Sequence, residues 1–217
     1  MEILFEDSNI IVCVKPVGII SQSDSGGGES MISLLQAQTG AEIFPLHRLD
    51  RETGGVMVYA KTKAAAAKLS RDIAERRLCK EYLAMIHGVP EKYEDTLCDL
   101  LFKDSRKNKS YVVSRERKGV KQAKLLYYLK DKKQIGGEWY SLVEIKLFTG
   151  RTHQIRVQFS HRKIPLAGDK KYGARDNFSE LGLWSYKLEF AHPETHEILS
   201  FISPPQNIIS QHFFKEL

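Results

Sequence analysis

Hydrophobic and polar positions along this chain follow two rhythms, and the period-2 rhythm of half-buried strands dominates. ILFE (3–6) and IIVCVK (10–15) are apolar runs separated by Asp7-Ser8-Asn9, a spacing that predicts a hairpin with a well-buried second strand. Pro16 and Gly18 stop that strand, and Lys15 at its end is expected to be solvated. SQSDSGGGES (21–30) reads as a flexible loop. Residues 29–39 carry Met31, Leu34, Leu35 and Gln38 at helical spacing, with Gly40 as the stop. VMVY (56–59) reads as a buried strand. Thr62 predicts the cap of a helix reaching about Arg76, in which alanines fill 64–67.

KEYLAMIH (80–87) alternates as a half-buried strand, with Lys80, Tyr82, Ala84 and Ile86 on one face and Leu83, Met85 and His87 on the other. Further strands are predicted at 111–113 and 123–129, joined by a turn near Gly119, and at 140–148 after Gly136-Gly137. RTHQIRVQF (151–159) fits both rhythms, since Ile155, Val157 and Phe159 alternate while Ile155 and Phe159 share a helix face; Thr152 is available as an N-cap. IPLAGDKKYG (164–173) is turn-rich. Strands at 183–190 and 197–202 flank His192-Pro193, and a C-terminal helix is expected to start from the prolines of PPQNIISQHFF. Many strands with about three helices argue an α+β fold with a largely antiparallel sheet. No repeat or interdomain linker is visible.

Composition narrows the class. A chain of 217 residues suffices for one substantial domain or two small lobes. No apolar run approaches the roughly 20 residues of a membrane span, and the acidic N-terminus does not resemble a signal peptide. Cys13, Cys79 and Cys98 are odd in number and far apart, which argues against a disulfide scaffold or a metal site and for the cytosol. The net charge of +6 is unevenly placed: residues 102–133 hold twelve Lys or Arg against three acids. One cationic strip on an otherwise balanced chain suits a phosphate backbone.

Two segments concentrate polar chemistry. In FPLHRLDRETGGVMVY (44–59), Asp50 stands between Arg48 and Arg51, close to His47, and nearby cations favour its ionised form. Such a carboxylate suits a base, nucleophile or ligand better than a general acid. A hundred residues on, TGRTHQIR (149–156) packs Arg151, His153 and Arg156 into a segment that is also apolar. At least one of these arginines must face inward and needs a carboxylate or carbonyl partner. Asp50 and Asp169 are the candidates. Tyr82, on a strand face, could be a core aromatic or a ring for stacking a flipped base. The G-x-S-x-G and nucleotide-loop signatures are absent.

HRLDRETGG, KEYLAMIHG, TGRTHQIRV with the downstream IPLAGDKKYG, and the opening ILFEDSNIIVCVKPVG together resemble the RluA-type family of RNA pseudouridine synthases, in order from about residue 3 to about residue 205. The resemblance implies one catalytic domain over 1–217 without an N-terminal S4-type module: a largely antiparallel mixed sheet flanked by helices, with a central RNA-binding cleft. It implies isomerisation of uridine to pseudouridine in ribosomal or transfer RNA, with no cofactor, no metal and no obligate protein partner. By the same resemblance Asp50 is the essential aspartate, Tyr82 the tyrosine that packs on the uracil, and Arg156 the arginine that pairs with the aspartate. The segment holding Arg156 is then expected to be helical. Arg48 and Arg51 match cleft positions that hold the nucleotide. His47, Arg151 and His153, with Lys121 and Lys124 of the strip, complete the expected RNA-binding set. Two positions depart from the family pattern: Gly54 stands where serine is frequent, and Gln158 where histidine is common.

Two other readings carry distinct expectations. A catalytically inactive RNA-binding protein of the same fold would be expected to lack Asp50 or Tyr82, and both are present. A glycoside hydrolase using Asp50 needs a second carboxylate as partner acid, for which only Asp169 offers itself.

Overall fold

A computed structural model describes residues 1–22 and 29–214; the triple glycine at 26–28 lies outside the described residues. In chain order the elements are β1 (Ile3–Glu6), β2 (Ile10–Lys15), α1 (Met31–Thr39), β3 (Phe44–Pro45), β4 (Gly54–Ala60), α2 (Lys63–Ala74), β5 (Cys79–His87), β6 (Glu94–Asp104), β7 (Lys109–Val113), β8 (Val120–Ile135), β9 (Glu138–Leu147), α3 (Gln154–His161), a 3₁₀ turn (Lys170–Tyr172), β10 (Leu183–Ala191), β11 (Ile198–Ile202) and α4 (Ile208–Phe213). The fold is α+β. It divides into two compact units, one of residues 1–80 and 184–206, the other of residues 81–183 and 207–217.

In the first unit β1 and β2 form the expected hairpin, and β2 runs antiparallel to β4 from Ile10 opposite Ala60 to Lys15 opposite Gly55. Both strands are buried on both faces, so their sequences are continuous apolar runs rather than alternations. One face, with Ile10, Val12, Val56 and Val58, packs with Ala65 and Leu69 of α2 and with Leu188 and Phe190 of β10. The Thr62 hydroxyl caps α2 by accepting the Ala65 N–H at 3.1 Å. Gly40 ends α1 in the left-handed conformation. β10 touches β4 in parallel at Trp184–Gly54 and Ser185–Gly55, and β11 adds to β10 antiparallel.

The second unit is an antiparallel sheet in the order β5-β9-β8-β6-β7. Gly136 and Gly137 both have positive φ, 59° and 89°, and close the β8–β9 hairpin in two residues. The predicted strands at 111–113 and 123–129 are not neighbours: β6, which the hydrophobic pattern does not reveal, lies between them and pairs with both. β5 is also more buried than half, with both faces covered from Tyr82 to Ile86. Its Met85 exchanges main-chain hydrogen bonds with Ala167 and Gly182, so loop segments cover it.

Residues 154–161 are helical, but Thr152 is not the cap. α3 starts from His153 in the left-handed region (φ 53°) with no side-chain cap. Likewise the side chain of Asn207, not a proline, caps α4.

Candidate active site

Asp50 opens a tight turn in which the Thr53 N–H donates to the Asp50 carbonyl at 3.0 Å, and the turn is fastened on both flanks. Before it, the Ser21 hydroxyl meets the Leu49 N–H and the Leu49 carbonyl, each at 2.9 Å. After it, Arg51 holds Gly18 twice: its carbonyl accepts the Gly18 N–H at 2.8 Å, and its Nε donates to the Gly18 carbonyl at 2.9 Å. Arg48 and Arg51 are exposed, Asp50 half-buried and Leu49 buried. An apolar residue thus anchors the loop inward while its neighbours reach solvent.

Lys15 is the third fastening, and here the expectation of a solvated lysine fails. The side chain is fully buried. Its Nζ donates to the carbonyls of Pro16 (2.9 Å), Ile19 (2.6 Å) and Arg51 (3.3 Å). Those three carbonyls replace its water shell. Burial pushes the ammonium pKa down to about 8, against the charges of Asp50 and Glu52, which favour the proton.

His47 is half-buried, and its Nε2 accepts the Val58 N–H of β4 at 3.4 Å. Burial, with the nearby Lys80 cation, holds its pKa well below the usual histidine value, so the ring is neutral. Its Nδ1 meets no hydrogen-bond partner among the described residues. Lys80 is itself pushed down to about 8 by burial.

In the second unit, Tyr82 is buried on β5 opposite Ile145 of β9. Arg156 is buried on α3 and makes a bidentate pair with Asp169, Nε to Oδ2 at 2.7 Å and Nη2 to Oδ1 at 2.8 Å. Asp169 also accepts the Tyr172 N–H at 3.2 Å, and the Arg156 guanidinium lies 5.3 Å from the Tyr172 ring centroid. The Tyr172 hydroxyl takes the Ser110 N–H of β7 at 2.8 Å and bonds His153 Nδ1 at 2.9 Å. The two polar segments TGRTHQIR and GDKKYG therefore interlock. His153 is inside this network, 9% exposed. Arg151 is half-buried and donates through Nε to the Gln122 carbonyl at 3.0 Å.

Lys121 and Lys124 are exposed, but strand alternation puts them on opposite faces of β8. Lys121 shares its face with Leu101, its partner across β6. Lys124 lies 5.2 Å from the Phe148 ring on the other.

Both departures from the expected family pattern have structural causes. A Cβ on Gly54 would come 2.3 Å from Trp184 Cζ3, so the Trp184 ring fills the space of a side chain there. At Gly55 a Cβ would meet the Ser185 main chain at 2.2 Å, and its φ is +118°. Gln158 is fully buried and donates to the Leu97 carbonyl at 3.2 Å and to Asp99 Oδ2 at 2.6 Å. It ties α3 to β6. Lys15 beside the Asp50 turn, Lys80 near His47 and Tyr172 against Arg156 are neighbours of the expected site residues that the sequence pattern alone does not single out. For Lys80 a signal existed, a cation alternating with Tyr82, Ala84 and Ile86; for Lys15 the signal was an apolar strand running straight into a lysine.

Residues 9–161 match the family described as RNA pseudouridylate synthase. The chain belongs to that family. Among its pseudouridine synthase relatives is the ribosomal large subunit pseudouridine synthase C of Buchnera aphidicola subsp. Schizaphis graminum, 33% identical over an alignment of 213 positions that covers 93% of this chain and 66% of the relative. An uncharacterized RNA pseudouridine synthase of Bacillus subtilis is 31% identical over 94% of this chain and 69% of its own length. The chain spans about two thirds of the length of the curated relatives it matches. Human RNA pseudouridylate synthase domain containing 1 has the same fold, with a TM-score of 0.80 at 24% identity, covering 94% of this chain and 83% of the human one.

Proposed function

We propose that this chain isomerises uridine to pseudouridine at a defined position of ribosomal RNA in the cytoplasm, without a cofactor. The family match over residues 9–161 carries the reading, and relatives named for the ribosomal large subunit support the choice of RNA. The reaction breaks the N1–C1′ bond, turns the uracil and joins C5 to C1′; C5 loses a proton and N1 gains one, with no net redox change. Asp50 acts on the sugar side, as nucleophile at C1′ or as base at the 2′ position. Tyr82 packs on the uracil and is the candidate base at C5. Arg156 provides a buried guanidinium for charge pairing. A target inside a stem must leave its stack first, and ring stacking with edge hydrogen bonds then recognises it.

The fastenings around Asp50 support its role, because a preorganised charge needs no reorganisation during reaction. Asp50→Asn keeps the shape and removes the charge, and is expected to abolish pseudouridine formation while RNA binding persists. The test is a nucleotide-resolution pseudouridine map of total RNA from cells carrying the wild-type gene, the Asp50→Asn gene or none. A site present with wild type and missing from the other two supports the reading; equal modification in all three sinks it.

A further inference from the structure

β7 is an edge strand: it pairs with β6 on one side, and its other side looks onto α3 and the 3₁₀ turn. Between them is a cleft of about 440 Å³ lined by Lys109, Tyr111, His161, Lys170, Lys171 and Tyr172 among others, with no Asp or Glu among its lining residues. Lys170 and Lys171 are exposed. The one acid of their segment, Asp169, turns inward to Arg156 and leaves their charge uncompensated. Lys109 Nζ donates to the Lys171 carbonyl at 2.5 Å and stands 5.9 Å from the Tyr111 ring centroid and 5.0 Å from that of Tyr172. Tyr111 is 37% exposed, so part of its ring is available to a ligand.

We infer that this cleft is a docking site for one nucleotide of the RNA substrate, with its base stacked on Tyr111 and its phosphate on Lys109, Lys170 and Lys171. The inference rests on the reading of the chain as an RNA-modifying enzyme. Three lysines without a competing acid attract phosphate irrespective of sequence. An exposed ring stacks any base, which is how single strands are gripped without base-edge readout. The cleft is of nucleotide-binding size. Its wall, the Tyr172 ring, also contacts Arg156. A nucleotide held against that wall is therefore one ring from the arginine assigned to the reaction. Only Lys109 and Tyr111 lie in the cationic strip; Lys170 and Lys171 are brought to it by the fold.

The test uses the full chain and a fluorescent 12-nucleotide poly(U) RNA, titrated at several KCl concentrations. Removing two of the three charges around that phosphate in Lys170→Gln/Lys171→Gln is expected to flatten the slope of log Kd against log salt by about 0.7, the value for one phosphate contact on a single strand. Tyr111→Ala is expected to weaken binding about tenfold at unchanged slope, while Tyr111→Phe, which keeps the ring, binds like wild type. An unchanged slope in the double variant, or Tyr111→Ala binding like wild type, overturns the cleft. Pseudouridine formation by the wild-type enzyme is assayed alongside: if it persists while the cleft variants bind normally, only the docking site fails. If wild type neither modifies nor binds RNA, the underlying reading fails.

Discussion

Burying an ammonium among main-chain carbonyls makes Lys15 the residue through which pH reaches the Asp50 turn. Its ordinary pKa is 10.5, and in the fold it falls to about 8. The penalty for burying the charge is thus fully present below about pH 8 and is relieved as pH rises toward 10.5. Wild type should gain about 3 kcal/mol over Lys15→Met between pH 7 and 10.5, since each tenfold loss of proton affinity on folding is worth ~1.36 kcal/mol. Urea denaturation at both pH values measures it; a constant gap means that Lys15 titrates as in water. Arg156 behaves differently, because Asp169 lies entirely inside. Arg156→Ala leaves that carboxylate without its guanidinium partner and should lower stability by about 3–5 kcal/mol in urea as well as slowing turnover. Tyr82→Phe keeps packing and removes the hydroxyl, so unchanged turnover would take the proton-transfer role from it. Asp50, Tyr82 and Arg156 could be picked out in the sequence because each is a polar or ring-bearing residue in an apolar or crowded setting. Lys15 reads as solvated in the sequence because the carbonyls of Pro16, Ile19 and Arg51 converge on it only after folding.

At the scale of elements, the contact of β4 with β10 explains the double glycine that follows the Asp50 turn. Gly54→Ser forces a side chain into the Trp184 ring, and overpacking of this kind costs about 1–3 kcal/mol. A double-mutant cycle with Trp184→Leu should show strong coupling in denaturant midpoints, the serine being tolerated once the ring is gone; additive losses would mean that the ring is not the obstacle. Hairpins, caps and buried strands were legible because local chemistry determines them. β6 was not, since Asp99 interrupts the buried face carried by Leu97 and Leu101. That acid is accommodated by Gln158 and Arg162, which come from α3 and the residue after it and are out of sight in the linear pattern. Helix and strand were equally open at 151–159 for a related reason: burial covers α3 from Gln154 to Phe159 without a polar stripe to reveal its period.

For the molecule as a whole, charge is the property that sequence located best along the chain and worst in space. The strip at 102–133 carries a local balance of +9, yet the sheet sends its lysines to both faces. Lys121 lies on the face of Leu101, which register shares with Val112 on the wall of the β7 cleft. Lys124 lies on the opposite face. Tyr111, opposite Phe102, carries the cleft round the edge of β7 to the face of Lys124, while the 170–172 turn packs on the face of Leu101 and Val112; Lys121→Glu should therefore reduce the salt slope of RNA binding more than Lys124→Glu. Equal effects would mean that RNA embraces both faces. The order of motifs along the chain was enough to reach the family, because catalytic roles attach to particular residues. Which surface holds RNA depends on strand register, a relation between residues far apart in sequence.

The Ser21 contact to Leu49 spans 28 residues and the Arg51 contact to Gly18 spans 33. These are single side-chain contacts rather than a continuous run of paired strand residues, so the clasp around Asp50 can open while the β2–β4 ladder stays intact. The Leu49 amide, buried and bonded to a side chain rather than to a strand, becomes a local clock for that opening. In native-state hydrogen exchange it should lose its label sooner than the amides that bond β2 to β4. A Ser21→Ala variant should shorten its lifetime further, reporting how often the Asp50 turn comes undone with no RNA present.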